Sequence, residues 1–495
     1  MRNKADILLV SCYELGHQPW NLASPLAFLE QAGYAPVAVD TTVESLSEEA
    51  IKRARLVAIS VPMHTALRLG VLVAQRVRRV NPNAHITFYG LYAWLNERYL
   101  LNNTPLTPDA PASFPSEEDT QLIGLADSVI AGEYEVPLLG LVEALERGEG
   151  LDIDPVPGVG HASHSAQPHI ERISGTLDSY PVPTRTSLPS LEHYARFREE
   201  HTFKLAGYVE ATRGCLHTCL HCPITPVYGG RFFVVPREVV LADIRAQVAA
   251  GARHITFGDP DFFNGPGHVL KILRAMHAQF PFLTFDATIK IEHILEKQHL
   301  LPELRRLGCA FIVSAVESFS DDVLQHLDKG HNAADIGHAL AITEAANITL
   351  RPTFVAFTPW TTLDDYLEML HAIERYHIIQ QIDPVQYSIR LLIPPSSALL
   401  DQSETHTWLG ELDPAAFTYR WSHPDPRMDR LQREISTLVE DAAKQDQPIL
   451  DTFYRIKTRA YSYAGRLEAL PLPISPLEHA RPPRAVPGLT ESWFC

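Results

Sequence analysis

Two runs of alternating strand and helix signals predict an α/β protein. A doubly wound parallel-sheet domain is followed by a partial (β/α)6 barrel and a mainly helical, Pro-rich C-terminal region. Three observations carry this. Residues 1–150 alternate short apolar strands with helical stretches, and residues 205–395 do so again over six units. A Pro/His-rich stretch, 151–204, separates them, and residues 396–495 turn helical and then Pro-rich. The second run also carries three cysteines within eight residues, Cys215, Cys219 and Cys222.

In the first run the expected strands are Ile7 to Val10, Ala35 to Val39, Leu56 to Val61, His85 to Tyr89 and Ser128 to Ile130. Between them lie helices at Ser24 to Ala32, stopped by Gly33, and at Leu67 to Val80, with Val136 to Leu145 following the last strand. A parallel doubly wound sheet keeps its ligand loops at the carboxyl ends of its strands. Those loops are Ser11 to Asn21, Ser60 to Thr65, Gly90 to Trp94 and Gly132 to Glu135, so Ser60, Gly90, Gly132 and the lone His17 are candidate cofactor contacts. The Pro- and acid-rich residues 101–120 read as an inserted surface loop. The prolines of 152–189 hold their neighbours extended, which predicts a semi-rigid strap whose histidines, His161, His164 and His169, are solvated.

The barrel strands are expected at Leu205 to Thr212, His254 to Phe257, Leu283 to Ala287, Phe311 to Val316, Thr349 to Ala356 and Val385 to Leu391, with helices between them. Chemistry belongs at their carboxyl ends. The cysteines follow the first strand, with three and then two residues between them, close enough to hold one soft metal centre. No disulfide scheme suits an odd trio this tight. A structural zinc with His217 or His221 as fourth ligand is the plainer alternative, but no second half-motif is present.

This loop, Tyr208 to Pro223, resembles that of the radical S-adenosylmethionine (SAM) superfamily, whose C-x-x-x-C-x-Φ-C loop binds three irons of a [4Fe-4S] cluster. The resemblance implies that Cys215, Cys219 and Cys222 are the ligands, with His221 at the Φ position and the fourth iron open to SAM. An electron from the cluster would then split SAM's sulfonium to give a 5′-deoxyadenosyl radical. It further implies a donor such as flavodoxin or ferredoxin. Phe257-Gly-Asp-Pro-Asp-Phe262 stands where the family's G-G-E motif holds SAM's amino group, which implies contacts at Gly258 and Asp259. Asp259 and Asp261 serve equally well as loop caps. Ser314-Ala-Val-Glu-Ser318 resembles the V-E-S element, implying ribose binding by Glu317 and a polar contact from Ser318. Leu327-Asp-Lys-Gly330 resembles the family's K-G turn, with Gly330 as a helix C-cap. Arg351 and Arg390 are candidate anchors for a carboxylate of SAM or substrate, and a structural ion pair is an equal alternative for each.

The first run, with Ile59 to His64, Phe88 to Gly90 and Ala131 to Glu135, resembles the cobalamin-binding domain that precedes many radical SAM cores. It lacks the D-x-H-x-x-G loop. Cys12 to Pro19 stands there instead, and His17 is a possible cobalt ligand or, more simply, a loop-packing residue. That loop and the cysteine-bearing C-terminus also resemble the CUAEP/CCAEP-tail radical SAM (seleno)proteins; the missing Ala-Glu-Pro ending fits a selenocysteine codon read as a stop. The Pro-rich arm from Pro471 to Pro487 carries Trp493, Phe494 and Cys495. Folded back over the barrel mouth, it would make Cys495 a catalytic thiol; otherwise Cys495 is simply where the chain stops.

The formal net charge of −17 and the lack of a long Lys/Arg run argue against a nucleic-acid partner. Six cysteines in 495 residues exclude a disulfide framework, and a labile cluster would need a reducing compartment. No signal peptide is visible, and no apolar run approaches the ~20 residues that span a bilayer. A cytoplasmic enzyme acting on a small molecule, with no membrane partner, is therefore expected. Its leading reaction is cobalamin-assisted methyl or alkyl transfer. The rival is cobalamin-free transfer of a SAM-derived group to a soft acceptor such as a thiol or metalloid. A non-catalytic iron–sulfur or zinc protein is disfavoured, because it would not need the SAM-loop matches at Gly258 and Glu317.

Overall fold

The computed structural model describes residues 1–101, 125–148, 151, 155–170, 180–467 and 486–491. The insertion expected at 101–120 lies outside them except for residue 101, as do residues 471–485, Trp493, Phe494 and Cys495.

The first sheet holds β1 (Ile7–Ser11), β2 (Val37–Asp40), β3 (Leu56–Ser60), β4 (His85–Tyr89), β5 (Ser128–Ile130) and β6 (Val159–His161) in the order β2-β1-β3-β4-β5-β6. The first five are parallel and β6 is antiparallel to β5. Strand alternation explains the double winding. Leu8, Val10, Val57 and Ile59 pack with Leu67, Val71, Ala74 and Val77 of helix His64–Val80. Ile7, Leu9, Leu56 and Ala58 pack on the other face with Leu22, Leu26, Leu138 and Leu141 of helices Trp20–Gln31 and Glu135–Arg147. The proline-rich stretch is thus not only a strap, because its residues 159–161 complete this sheet. The backbone of His169 bonds Ala131 and Glu133, which holds the stretch against the end of β5.

The second sheet starts with a hairpin, β7 (Arg196–Glu199) and β8 (Thr202–Val209). A short antiparallel pair follows, β9 (Thr212–Gly214) with β10 (Phe232–Val234). Next come the parallel strands β11 (His254–Phe257), β12 (Thr284–Thr288), β13 (Cys309–Glu317) and β14 (Thr349–Phe354). After the small hairpin β15 (Leu409–Asp413) and β16 (Thr418–Trp421), the chain returns as β17 (Gly488–Leu489). The order is β14-β13-β12-β11-β8-β7-β17. Its two edges meet where Arg351 of β14 donates to the carbonyl of Pro487, just before β17, at 3.3 Å. The sheet therefore curls, and Phe197, His254 and Phe311 stack with one another from β7, β11 and β13.

The expected sixth strand, Val385 to Leu391, does not form. Pro384–Tyr387 is a 3-10 turn, and only Arg390 bridges to Phe357 beyond β14. Pro384 opens the 3-10 turn over the first half of the segment, and its ladder is limited to the bonds of Ile389 and Leu391 with Phe357. The helical region is confirmed, with Pro426–Lys444 packed against Ile449–Tyr463. Among the described residues no helix is long and apolar enough to cross a membrane.

Candidate active site

At the carboxyl end of β8 the chain runs through Glu210 into β9, and the cysteine loop closes between β9 and β10. Gly214, at φ +74°, immediately precedes Cys215; a side chain there would sit 2.4 Å from the Arg231 carbonyl. Asn264 braces the loop's start by accepting from the Leu216 amide at 3.2 Å. At its end Cys222 N–H donates to the Cys219 carbonyl at 3.2 Å, and Thr225 Oγ1 donates to the same oxygen at 2.9 Å. All three thiols are free. Burial raises Cys215, and it pushes Cys222 up to about 12, with the charges of Cys219 and Cys215 adding to the rise. Three soft donors that disfavour one another as thiolates in a buried loop are stabilised by a shared cationic centre, so the loop fits an iron–sulfur cluster.

The loop is tied to the far side of the barrel by a buried ion triad. Glu317, last in β13, accepts from Lys329 Nζ at 3.1 Å and lies 3.1 Å from His221 Nε2. Burial would raise its carboxyl, but Lys329 and His221 overcome this and hold it at about 2. Glu317 adopts φ +67°, a left-handed backbone that turns the chain at the strand end. Ser318 is occupied locally, its Oγ accepting from Ser320 N.

On the second loop, Asp259 accepts from the Ala211 amide at 3.0 Å and from Thr212 Oγ1 at 2.5 Å, and burial pushes its carboxyl up to about 7. It clamps the end of β8. Gly258 lets the chain pass Tyr208, whose Oη would lie 1.8 Å from an added Cβ. Asp261 caps the turn Phe262–Asn264 and approaches His293 and His217.

Arg351 and Arg390 have structural partners. Arg351 pairs with Asp383 at 3.0 Å, and Arg390 pairs with Asp429 at 2.8 Å while stacking 3.5 Å over Trp421. These contacts favour the alternative of a structural ion pair for each arginine.

Around the first sheet, His17 is buried against Tyr208, ring centroids 4.8 Å apart, and burial lowers it to about 4. Ser60 is buried at the end of β3. Gly90 turns at φ +100° against Val61, and the open face of Gly132 is filled by His169, whose carbonyl would lie 2.3 Å from an added Cβ. Ser11 Oγ and Glu14 Oε1 are buried without a hydrogen-bond partner among the described residues.

Arg213, inside the β9 strand, joins the two halves. It bonds Glu133 at 2.7 Å, Glu135 at 2.6 Å and Glu210 at 2.8 Å; Tyr228 also donates to Glu133, and Ser24 to Glu135. Sequence reasoning passed over Arg213, Lys329, Asn264 and His293. The K-G turn pointed to Lys329, though Gly330 drew the attention.

Residues 209–373 match the radical SAM superfamily. This part of the chain is a radical SAM domain. The domain implies a [4Fe-4S] cluster and SAM, and the three-thiol loop between β9 and β10 lies within the matched residues. An uncharacterized methyltransferase of Pyrococcus horikoshii is 22% identical over 275 residues, 54% of this chain and 56% of the relative. The chain thus spans about half the length of the curated relatives it matches. Among solved structures, the cobalamin-dependent SAM radical enzyme OxsB with aqua-cobalamin and SAM bound superposes at TM-score 0.65 and 16% identity, over 93% of this chain and 70% of that one. The radical SAM methyltransferase TsrM from Kitasatospora setae, with cobalamin and a [4Fe-4S] cluster bound, gives 0.56 and 15%, over 76% and 71%. At these identities the likeness is one of fold, and it extends through the first sheet as well as the radical SAM domain.

Proposed function

We propose that the protein is a radical SAM enzyme that modifies a small molecule by cobalamin-assisted methyl or alkyl transfer. One observation carries this reading: the three-thiol loop is bonded through Arg213 to the end of a doubly wound sheet, within a fold shared with OxsB and TsrM. The cluster, once bound, supplies the electron that cleaves SAM. Cys215, Cys219 and Cys222 hold it, and the Glu317–Lys329–His221 triad fixes the loop against β13. Asp259 locks the β8 turn. Flavodoxin or ferredoxin is the proposed electron donor. The unsatisfied Ser11 and Glu14 oxygens are polar groups that a corrin edge would satisfy. Protein reconstituted anaerobically with iron and sulfide, then given SAM, reductant and hydroxocobalamin, is expected to form 5′-deoxyadenosine and to retain corrin through gel filtration. Absence of 5′-deoxyadenosine refutes the radical SAM reading.

One detail favours the cobalamin-free rival: His169 covers Gly132. SAM cleavage without corrin retention selects transfer of a SAM-derived group to a soft acceptor.

A further inference from the structure

We propose that His217, Asp261 and His293 form a binding site for a single first-row divalent metal ion, separate from the three cluster thiols. The residues come from three loops at the same end of the barrel: the cysteine loop after β8, the turn after β11, and helix Ile291–Glu296 after β12. One ligand atom from each lies within 4.8 Å of the others. Asp261 Oδ2 is 2.6 Å from His293 Nδ1 and 3.4 Å from His217 Nε2. Bonds of ~2.0–2.2 Å to one ion set neighbouring ligand atoms roughly 3 Å apart, so an ion would need to spread Asp261 and His293 by only a few tenths of an ångström.

Three further observations point the same way. The facing atoms, His217 Nε2, Asp261 Oδ2 and His293 Nδ1, are buried and have no hydrogen-bond partner outside this cluster among the described residues. That is the geometry of groups aimed at a common point. The other carboxylate oxygen, Oδ1, is fixed by the Phe263 amide at 3.2 Å, so Oδ2 is oriented before any ion arrives. Glu292 Oε2 lies 3.5 Å from His217 Nδ1, the far side of that imidazole, where an outer carboxylate orients a metal-bound histidine.

Two imidazoles and one carboxylate suit zinc, iron or cobalt, whereas the cluster site is all thiolate. Three protein ligands leave open positions, which at the carboxyl ends of the barrel strands would take an oxygen or nitrogen of a substrate. The inference does not depend on cobalamin or on methyl transfer.

The test uses cluster-loaded protein, desalted and given equimolar Zn2+, with zinc and iron counted by mass spectrometry and the zinc environment read by X-ray absorption. The expected result is one zinc per chain with iron unchanged, and only nitrogen and oxygen scatterers at ~2.0 Å. His293→Gln should bind zinc at least tenfold more weakly while keeping its iron. Zinc bound at ~2.3 Å to sulfur overturns the site, because the ion then sits on the cysteines. So does wild-type protein that takes up no zinc, or His293→Gln protein that binds it as wild type does. If the variant loses iron as well, the wild-type absorption spectrum decides alone.

Discussion

Replacing Arg213 by Met keeps much of the side-chain volume and removes the one cation shared by Glu133, Glu135 and Glu210. The Arg213 side chain is 7% exposed, and those of the three glutamates are 8%, 0% and 16% exposed, so little water can take its place. Breaking a buried ion pair from one side costs about 3–5 kcal/mol. The glutamates can relieve this only by taking up protons. For a carboxyl of ordinary pKa near 4.3, protonation at pH 7 costs roughly 3.7 kcal/mol, at 1.36 kcal/mol per unit. The two estimates agree, and a loss of about 3–5 kcal/mol at neutral pH is expected. The pH dependence follows. Burial would raise Glu135, but Arg213 holds it below its ordinary value, so its contribution in the wild type is present above the unfolded pKa and lost on acidification. Without Arg213 the folded pKa is raised instead, so the penalty is full at pH 8 and shrinks as pH falls. Urea unfolding followed by circular dichroism at pH 8 and pH 5.5 should therefore show a wide gap from wild type that narrows at the lower pH. Adding Glu135→Gln should recover about half of the loss. A gap below ~1 kcal/mol at pH 8, or one that does not change with pH, would refute the reasoning.

Replacing Cys215, Cys219 and Cys222 together by Ala should abolish the cluster's charge-transfer absorption; iron counts and visible spectra check this, and stoichiometric zinc without iron in native protein would contradict it. Lys329→Met should leave Glu317 buried without its ammonium partner and weaken SAM binding to cluster-loaded protein at least tenfold by calorimetry, at an iron content near that of wild type. Because Glu317 sits at about 2, below its ordinary value, its pairing in the wild type is complete above the unfolded pKa and fades only towards pH 2, so SAM affinity should not track this group between pH 6 and 8. His17→Ala should leave the spectrum of any retained corrin unchanged, since the imidazole packs on Tyr208; an altered cobalt spectrum would restore the ligand role. Cys495→Ser should lower substrate turnover if the tail thiol acts in the site, with turnover and SAM cleavage scored separately. If neither rate changes, Cys495 has no catalytic part.

Local chemistry by itself determined the parts of this protein that depend on neighbouring residues. The spacing of Cys215, Cys219 and Cys222 needs only a loop to bring the thiols together, and apolar alternation separated both sheets and set the strands that face helices on two sides. Even the end of β13 was legible, because Ser314 to Ser318 resembles the family's V-E-S element. Tertiary structure decided what depends on residues far apart in sequence. The sixth barrel strand was cut short because Pro384 opens a 3-10 turn over its first half, although its apolar pattern resembles a strand. β7 was missed because Arg-Phe-Arg-Glu looks polar, and only the curl of the sheet buries Phe197 against His254 and Phe311. Residues 486–491 return to that strand, with Leu489 opposite Phe197 and Glu491 bonded to Tyr13 of the first domain, contacts no local pattern encodes. The partners of Arg351, Arg390 and Arg213 depend on the same long-range contacts. A guanidinium shows in sequence only that it can bind a carboxylate, and folding chose Asp383, Asp429 and the three glutamates by bringing them within reach.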